Sequence, residues 1–219
     1  MKSCIVALLL MLSLVAEASA TAQIPDTLIY QGQRYALNSN PLEVYFDTHP
    51  DRKPPRGSSS NLWRGYIATF EIRDSLLSVV EVEIKRYSRD SAGTVDSWWE
   101  SSLTSVFPDS AERACTFYTG LLILPMGEAT AHVNMGYSSL YERYILLLLE
   151  GGKLRKSREF SGSEYLAFKR RQFEAYKKSD EYKKMVEELT KENSDTSQIE
   201  NFLFIYDVNY SSKFLLDEL

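Results

Sequence analysis

The chain has 219 residues and a net charge of −5, which argues against a dedicated nucleic-acid binder, since that task usually needs a basic face. Two cysteines and two histidines leave little material for a disulfide scaffold, a zinc site or histidine-based catalysis. Aromatic residues make up 12% of the chain, with 14 tyrosines, as suits a β-rich core or a binding surface.

The first residues, MKSCIVALLLMLSLVAEASATAQ, carry one cation at Lys2, an apolar run from Ile5 to Ala16, and then small residues. That is the layout of a secretory signal. Two overlapping sites, Ala18-Ser19-Ala20 and Ala20-Thr21-Ala22, predict cleavage near Ala20 or Ala22 and export to the periplasm or the extracellular space. The apolar run falls short of the roughly 20 residues that span a bilayer, so no transmembrane segment is expected in a soluble mature chain. Cys4 precedes the apolar run, whereas a lipid-attachment cysteine would follow it. Only Cys115 survives processing, so no internal disulfide can close and stability must come from packing.

The predicted organisation is a signal peptide over residues 1–22, a β-rich core domain over 23–160 and a helical C-terminal region over 161–219. LIYQGQRYAL (28–37) reads as a hairpin turning around Gly32, and NPLEVYF (40–46) as a helical turn with Asn40 as N-cap and Pro41 at its first position. HPDRKPPRGSSSN (49–61) reads as a loop with nothing to offer a core. LWRGYIATFEI (62–72) and LLSVVEVEIKRY (76–87) form a strand pair around Arg73-Asp74-Ser75, with Val80, Val82 and Ile84 on the buried face and Glu81, Glu83 and Lys85 on the wet one. SWWESSLTSVF (97–107) is expected to be a short helix ended by Pro108. FYTGLLIL (117–124) is expected to be a strand stopped by Pro125-Met126-Gly127.

The next hairpin runs from Tyr141 through ILLLL (145–149), turns at Gly151-Gly152 and returns along KLRKSREF (153–160). Its first arm is continuously apolar, which places it at the centre of the sheet with both faces covered. Tyr66-Ile67 and Leu76 recur as Tyr144-Ile145 and Leu154 at one common offset, a faint echo of duplication. From Gly162 the pattern is helical, with Leu166, Phe173 and Tyr176, then Tyr182, Met185, Val186 and Leu189, as an apolar stripe. Ser179-Asp180 caps between two helices, Ser197 to Glu200 fits a capping box for a third, and KFLLDEL (213–219) is amphipathic.

No H-E-x-x-H, C-x-x-C, Walker A loop or G-x-G-x-x-G occurs. GYSSL (136–140) lacks the second glycine of a nucleophile elbow, and a triad of Ser138 or Ser139 with His132 and Glu142 would have to converge from one short stretch. No metal is expected, since His49 lies in the Pro-rich loop as a solvent residue and His132 reads as a sheet-face residue. DVNYSSKFLLDE (207–218) puts Asp207, Asn209, Ser211 and Glu218 at calcium-loop spacing, but Ser212 stands where the loop glycine belongs; a polar turn before a short helix is the preferred reading. Asn209-Tyr210-Ser211 is a glycosylation sequon. Lys169, Arg170, Arg171, Lys177, Lys178, Lys183 and Lys184 are interleaved with Glu174, Asp180, Glu181, Glu187 and Glu188, which points to pairing on solvated helices.

WRGY (63–66) and HVNMGYSSLYERY (132–144) both place Arg and Tyr just ahead of an apolar strand. There an arginine can pair with a carboxylate such as Glu142 or Glu71 and fix a strand end, while tyrosines cover the core and keep their hydroxyls wet. The functional alternative is a shallow groove in which Trp63, Arg64, Tyr66, Tyr137, Tyr141, Glu142 and Arg143 bind a sugar, a peptide or an envelope polymer.

The segments LIYQGQRYALNSNPLEVYF, LWRGYIATFEIRDSLL and VNMGYSSLYERY, in that order across about residues 26 to 154, resemble a family of small exported bacterial proteins that carry no assigned reaction or cofactor. The resemblance implies export and a shared β-rich core, and transfers no catalytic role. The expectation is therefore an α+β fold, with an antiparallel β-sheet or partly closed barrel as core and a helical C-terminal region. Its expected role is non-enzymatic binding in the bacterial cell envelope, without cofactor, to an unknown polymer or protein. The alternatives are a hydrolase of an envelope polymer or peptide using two of the carboxylates, and an inhibitor or immunity-type protein partner.

Overall fold

The structure is a computed structural model that describes residues 21–57, 59–91, 93–134, 136–191, 196–206 and 209–219, with only the backbone of residues 196, 197, 206, 209 and 210. The expected signal segment lies outside the described residues up to residue 20. β1 (Asp26–Tyr30) and β2 (Gln33–Leu37) form the first hairpin. Gln31 and Gly32 both have positive φ, the two-residue turn whose twist matches its strands. β1 also pairs in parallel with β3 (Tyr66–Arg73), Thr27 opposite Thr69 and Ile29 opposite Glu71.

The connection between them carries α1 (Pro41–Thr48), which starts on Pro41 as expected. Asn40 occupies the cap position without capping through its side chain, because its Oδ1 accepts from the Tyr137 hydroxyl instead. Nor is the following loop idle. Pro54 and Leu62 are buried, and the segment makes two short 3-10 turns at Pro50–Arg52 and Ser60–Leu62. Gly65 needs its φ of +87° and its bare Cα, because a side chain there would run into the Pro55 carbonyl.

β4 (Leu76–Arg89) pairs antiparallel with β3, but the alternation is not the continuous one expected. A bulge opposite Thr69 and Phe70 takes Val80 out of the buried set. Leu77 and Val79 point inward before it, and Val82 and Ile84 after it. Beyond Ile84 the strand continues with a new partner. β5 (Val95–Ser101) is a strand where a helix was expected, paired with Glu83 to Arg89 of β4. Val95, Trp98 and Trp99 suit a pleated surface, and β4 offers them an open edge. Only Leu103–Val106, α2, is helical in that stretch.

β6 (Gly120–Ala131) runs through Pro125 rather than stopping at it. It is the outer strand of the sheet, where a missing N–H is tolerated, and Pro125 sits opposite Tyr144. The irregularity falls later, between Met126 and Ala129, where Gly127 has φ +76°. β7 (Leu140–Glu150) lies between β6 and β8 (Lys153–Ser161), one strand in from the end of the sheet and not at the centre expected, with both faces covered all the same. The echo between hairpins is out of phase: Leu76 follows its turn directly, whereas Leu154 is the second residue of β8.

The strand order is β2-β1-β3-β4-β8-β7-β6 with β5 on β4, mostly antiparallel and not closed into a barrel. A single pair, Leu76 with Lys153, joins β4 to β8. At the other end Asn38 N–H donates to the Ile123 carbonyl at 2.9 Å, without a ladder. Residues from both halves share one core: Leu28, Phe70 and Val79 from the first, Leu122, Ile145 and Leu147 from the second. Buried Cys115 belongs to the same core as a free thiol, its pKa pushed up by burial.

The opposite face of β6 and β7, with Leu121, Ile123, Tyr144, Leu146 and Leu148, packs on Tyr165 and Phe168 of α3 (Gly162–Tyr176) and on Leu215, Leu216 and Leu219. The buried face of α3 is Tyr165, Phe168, Gln172, Phe173 and Tyr176, so Leu166 is displaced from the expected stripe. α4 (Asp180–Thr190) is capped by Ser179, whose Oγ accepts from Tyr182 N–H at 3.1 Å. α5 (Thr196–Tyr206) starts one residue before the expected capping box, and the Ser197 side chain lies outside the described residues. Phe173 and Tyr176 meet Ile199 and Leu203 in a small helical core lined by Tyr182 and Met185. α6 (Asn209–Lys213) and a 3-10 turn at Leu216–Glu218 end the chain.

At the start of α3, Ser161 Oγ accepts from Glu164 N–H at 3.3 Å while Ser161 N–H donates to Glu164 Oε2 at 2.8 Å. The Ser161 side chain and then its N–H hold the Glu164 carboxyl below its ordinary 4.5. A depressed carboxyl contributes stability above its unfolded pKa and loses it as pH falls through the folded one. Ser161→Ala is expected to cost about 1 kcal/mol at pH 7 and less at pH 3, read from urea unfolding at both.

Candidate functional site

Arg64, held inward by the turn before β3, is buried against Asp26 at the start of β1, with Nη2 to Oδ1 at 3.1 Å and both side chains inaccessible to solvent. Its Nη2 also donates to the Ile24 carbonyl at 3.1 Å, and its Nη1 to the Tyr137 hydroxyl. Asp26 Oδ1 accepts from Ala68 N–H at 2.9 Å, continuing the parallel β1–β3 ladder by one side-chain rung. Tyr66 donates to Glu43 Oε1 at 2.8 Å, and Glu43 also receives Lys53 at 2.5 Å. Among the described residues, Asp26 Oδ2 and Arg64 Nε find no hydrogen-bond partner.

Burial raises the Asp26 pKa above its ordinary 3.8, opposed by Arg64 and the Ala68 N–H. For Arg64 burial works against the charge, but Asp26, Tyr137 and Tyr66 outweigh it and hold the guanidinium above its ordinary value. Burial is also the main reason that the Tyr66 and Tyr137 hydroxyls titrate far above 10.0. Three of the seven residues singled out in sequence thus meet, in the interior, as a bonded cluster that ties β1, β3 and α1 together.

The other four are scattered. Trp63 is half-exposed, with its N–H on Gln23 Oε1 at 3.3 Å. Tyr141 lies edge-on to Tyr144, ring centroids 6.2 Å apart. Glu142 covers Gly127 and accepts from Glu128 N–H at 3.3 Å, buttressing the irregular part of β6. Arg143 is exposed and reaches Glu159 only at 4.0 Å.

Ser138 Oγ is committed to the Ile205 carbonyl at 2.7 Å, and Ser139 Oγ to the backbone of Val133. Exposed His132 lies past the end of β6, off the sheet face where it was expected. His49 is no free solvent residue, since its ring stacks on Tyr45 at 4.2 Å. Asp207 lies outside the described residues, and Asn209–Lys213 is helical, which removes the calcium-loop spacing. The basic helical residues pair locally and between helices: Lys177 with Glu174 and Glu200, Lys183 with Asp180, Arg171 with Glu218.

A different concavity lies on the outer face of β1 to β5, with a volume of about 470 Å³. Thr27, Ala36, Ile67 and Thr69 pave its floor; Arg34 and Tyr35 border it on the β2 side, Glu83 and Trp99 on the β4–β5 side. Among the described residues, the Thr27 and Thr69 hydroxyls, the Arg34 guanidinium and the Glu83 carboxylate make no side-chain hydrogen bond or ion pair. Glu83 is the one lining carboxylate that solvent reaches, because Asp26 turns its side chain into the interior; the carboxylate pair of a hydrolase is not assembled there.

From this cleft the β4–β5 ribbon projects, all seven residues of β5 exposed. Trp99 lies opposite Lys85, and Tyr87 and Val95 follow on the same face, while Trp98 points to the other. Sequence reasoning missed the site because it read residues 97–107 as a helix. The cue was the turn cluster Asp90 to Thr94 between two β-prone segments, closed in the structure by Asp90 N–H to the Thr94 carbonyl at 3.0 Å.

No protein-family model, curated protein or solved structure matches the chain.

Removing one member of a buried ion pair strands the other, so Arg64→Met is expected to cost about 3–5 kcal/mol in denaturant unfolding. The double variant Asp26→Leu/Arg64→Met should recover much of it. In Arg64→Met the raised Asp26 pKa makes the charged carboxylate the penalised form, so the deficit should narrow as pH falls toward 4.

Proposed function

We propose that this is an exported, non-enzymatic binding protein of the bacterial cell envelope, and that its ligand lies in the cleft on the outer face of β1 to β5. The supporting observation is the set of disengaged polar groups, Thr27, Thr69, Arg34 and Glu83, converging beside an exposed tryptophan. Groups of this kind orient ligands in open sites. The signal-like start of the sequence supports export, and the resemblance to small exported bacterial proteins agrees with it.

Co-sedimentation of the purified mature protein with an isolated envelope fraction tests the proposal. Trp99→Ala should abolish it, whereas Trp98→Ala, on the opposite ribbon face, should retain it. Both variants should remain folded, as checked by melting temperature, because both side chains lie half-exposed on the ribbon outside the core. Retained binding in Trp99→Ala, or turnover of envelope polymer by the parent protein, sinks the proposal.

A second reading, an inhibitor or immunity-type protein partner, is favoured by the exposed row Tyr87, Val95 and Trp99 on the ribbon. Capture of one protein in stoichiometric amount, lost in Val95→Asp, would select it over polymer binding.

Two contacts favour the earlier of the two expected cleavage sites. Ala22 bridges to Gly136, and Thr21 Oγ1 lies 2.9 Å from Ser60 Oγ. Cleavage after Ala20 keeps both contacts, while cleavage after Ala22 loses them. Intact mass of the exported protein is expected to give Thr21 as its first residue.

A further inference from the structure

We propose that the cleft takes an acidic saccharide, with a sugar ring stacked on Trp99 and a ligand carboxylate on Arg34; this rests on the binding role proposed above. The floor of the cleft decides the ligand class first. β1 is paired on both sides, by β2 and β3, and β3 on both sides, by β1 and β4. The main-chain groups of β1 and β3 are therefore turned to neighbouring strands, and the middle of the cleft offers side chains, while the open edges of β2 and β5 lie at its borders. An extended peptide gains its affinity by adding main-chain bonds along an open edge, and none runs through the middle of the cleft. A polyhydroxylated ring needs hydroxyls and charged acceptors around an aromatic face, and Thr27, Thr69, Glu83 and Trp99 supply them.

Charge decides the rest. An aromatic beside a carboxylate could hold a ligand cation, but Lys85 Nζ already stands 5.8 Å from the Trp99 ring centroid and Arg34 adds a second positive group. Arg34 has no carboxylate partner among the described residues, and its planar fork accepts two carboxylate oxygens side by side. Glu83 then accepts from sugar hydroxyls, as do the two threonines. The volume of about 470 Å³ falls within the range of small-ligand sites, roughly 300–1,000 Å³.

Calorimetry with a hexuronate oligosaccharide, a neutral hexose oligosaccharide of the same linkage and an extended peptide separates the outcomes. The hexuronate is expected to bind about tenfold tighter than the neutral sugar, and Arg34→Gln to lower hexuronate affinity about tenfold and so erase that preference. Trp99→Ala should weaken both sugars by about tenfold, with the melting temperature checked to confirm folding. Equal affinity for the two sugars, or binding that ignores Arg34→Gln, overturns the acidic saccharide. Binding of the peptide alone, still dependent on Trp99, overturns it too but leaves the binding-protein proposal standing. If Trp99→Ala alters neither sugar binding nor envelope co-sedimentation, both fall.

Discussion

The run Ile145–Leu149 leaves β7 no face that can meet water, and the architecture is arranged around covering both sides of it. Ile145, Leu147 and Leu149 look toward the first half of the sheet, which folds over them to make the main core. Leu146 and Leu148 look the other way and need α3 and the chain end. Burying such a side chain fully is worth about 1.5–3 kcal/mol, so neither layer is dispensable, and with Cys115 as a free thiol no disulfide shares the work. The C-terminal helices therefore dock on the sheet because the sheet has an apolar outer face at β6 and β7.

The first half of the sheet is held differently. A parallel β1–β3 pair requires a crossover, and here the crossover is α1 with an irregular loop, neither of which covers the outer face. What fixes the junction is the Asp26–Arg64 pair, with Tyr66, Glu43, Tyr137 and Asn40 completing the network. Such a pair contributes little net energy when intact but makes wrong packing costly, since either charge left alone in the interior is heavily penalised. Position and register, more than stability, are what it secures.

The uncovered face follows from this asymmetry. Helices protect β6 and β7, while none of the described residues packs a layer on the outer side of β1 to β5, and the β4–β5 ribbon extends beyond it into solvent. Exposed aromatics on a two-stranded ribbon are an aggregation hazard unless they serve an interface. They lie beside a cleft with disengaged hydroxyl, guanidinium and carboxylate groups, and the proposed binding role would give that exposure a use. The helix-covered face and the proposed binding face thus occupy opposite ends of one sheet.

Local chemistry was readable from the sequence where one segment decides its own state. The hairpin turns at Gly32, Asp74-Ser75 and Gly151-Gly152 depend on residues that accept left-handed backbone, the helical change at Gly162 depends on spacing, and the two-sided burial of ILLLL depends on having no polar face. Tertiary structure alone decided whatever needed a distant partner. Residues 97–101 became a strand because β4 had a free edge, Pro125 was passed because β6 lies outermost, and Val80 left the buried set through a bulge. Arg64 was expected to fix a strand end by pairing with a carboxylate such as Glu71 or Glu142, but its carboxylate is Asp26, far back in the chain. The cleft is made of residues from five strands brought together by pairing, and no one-dimensional pattern holds that information, because register and strand order are settled by long-range contacts.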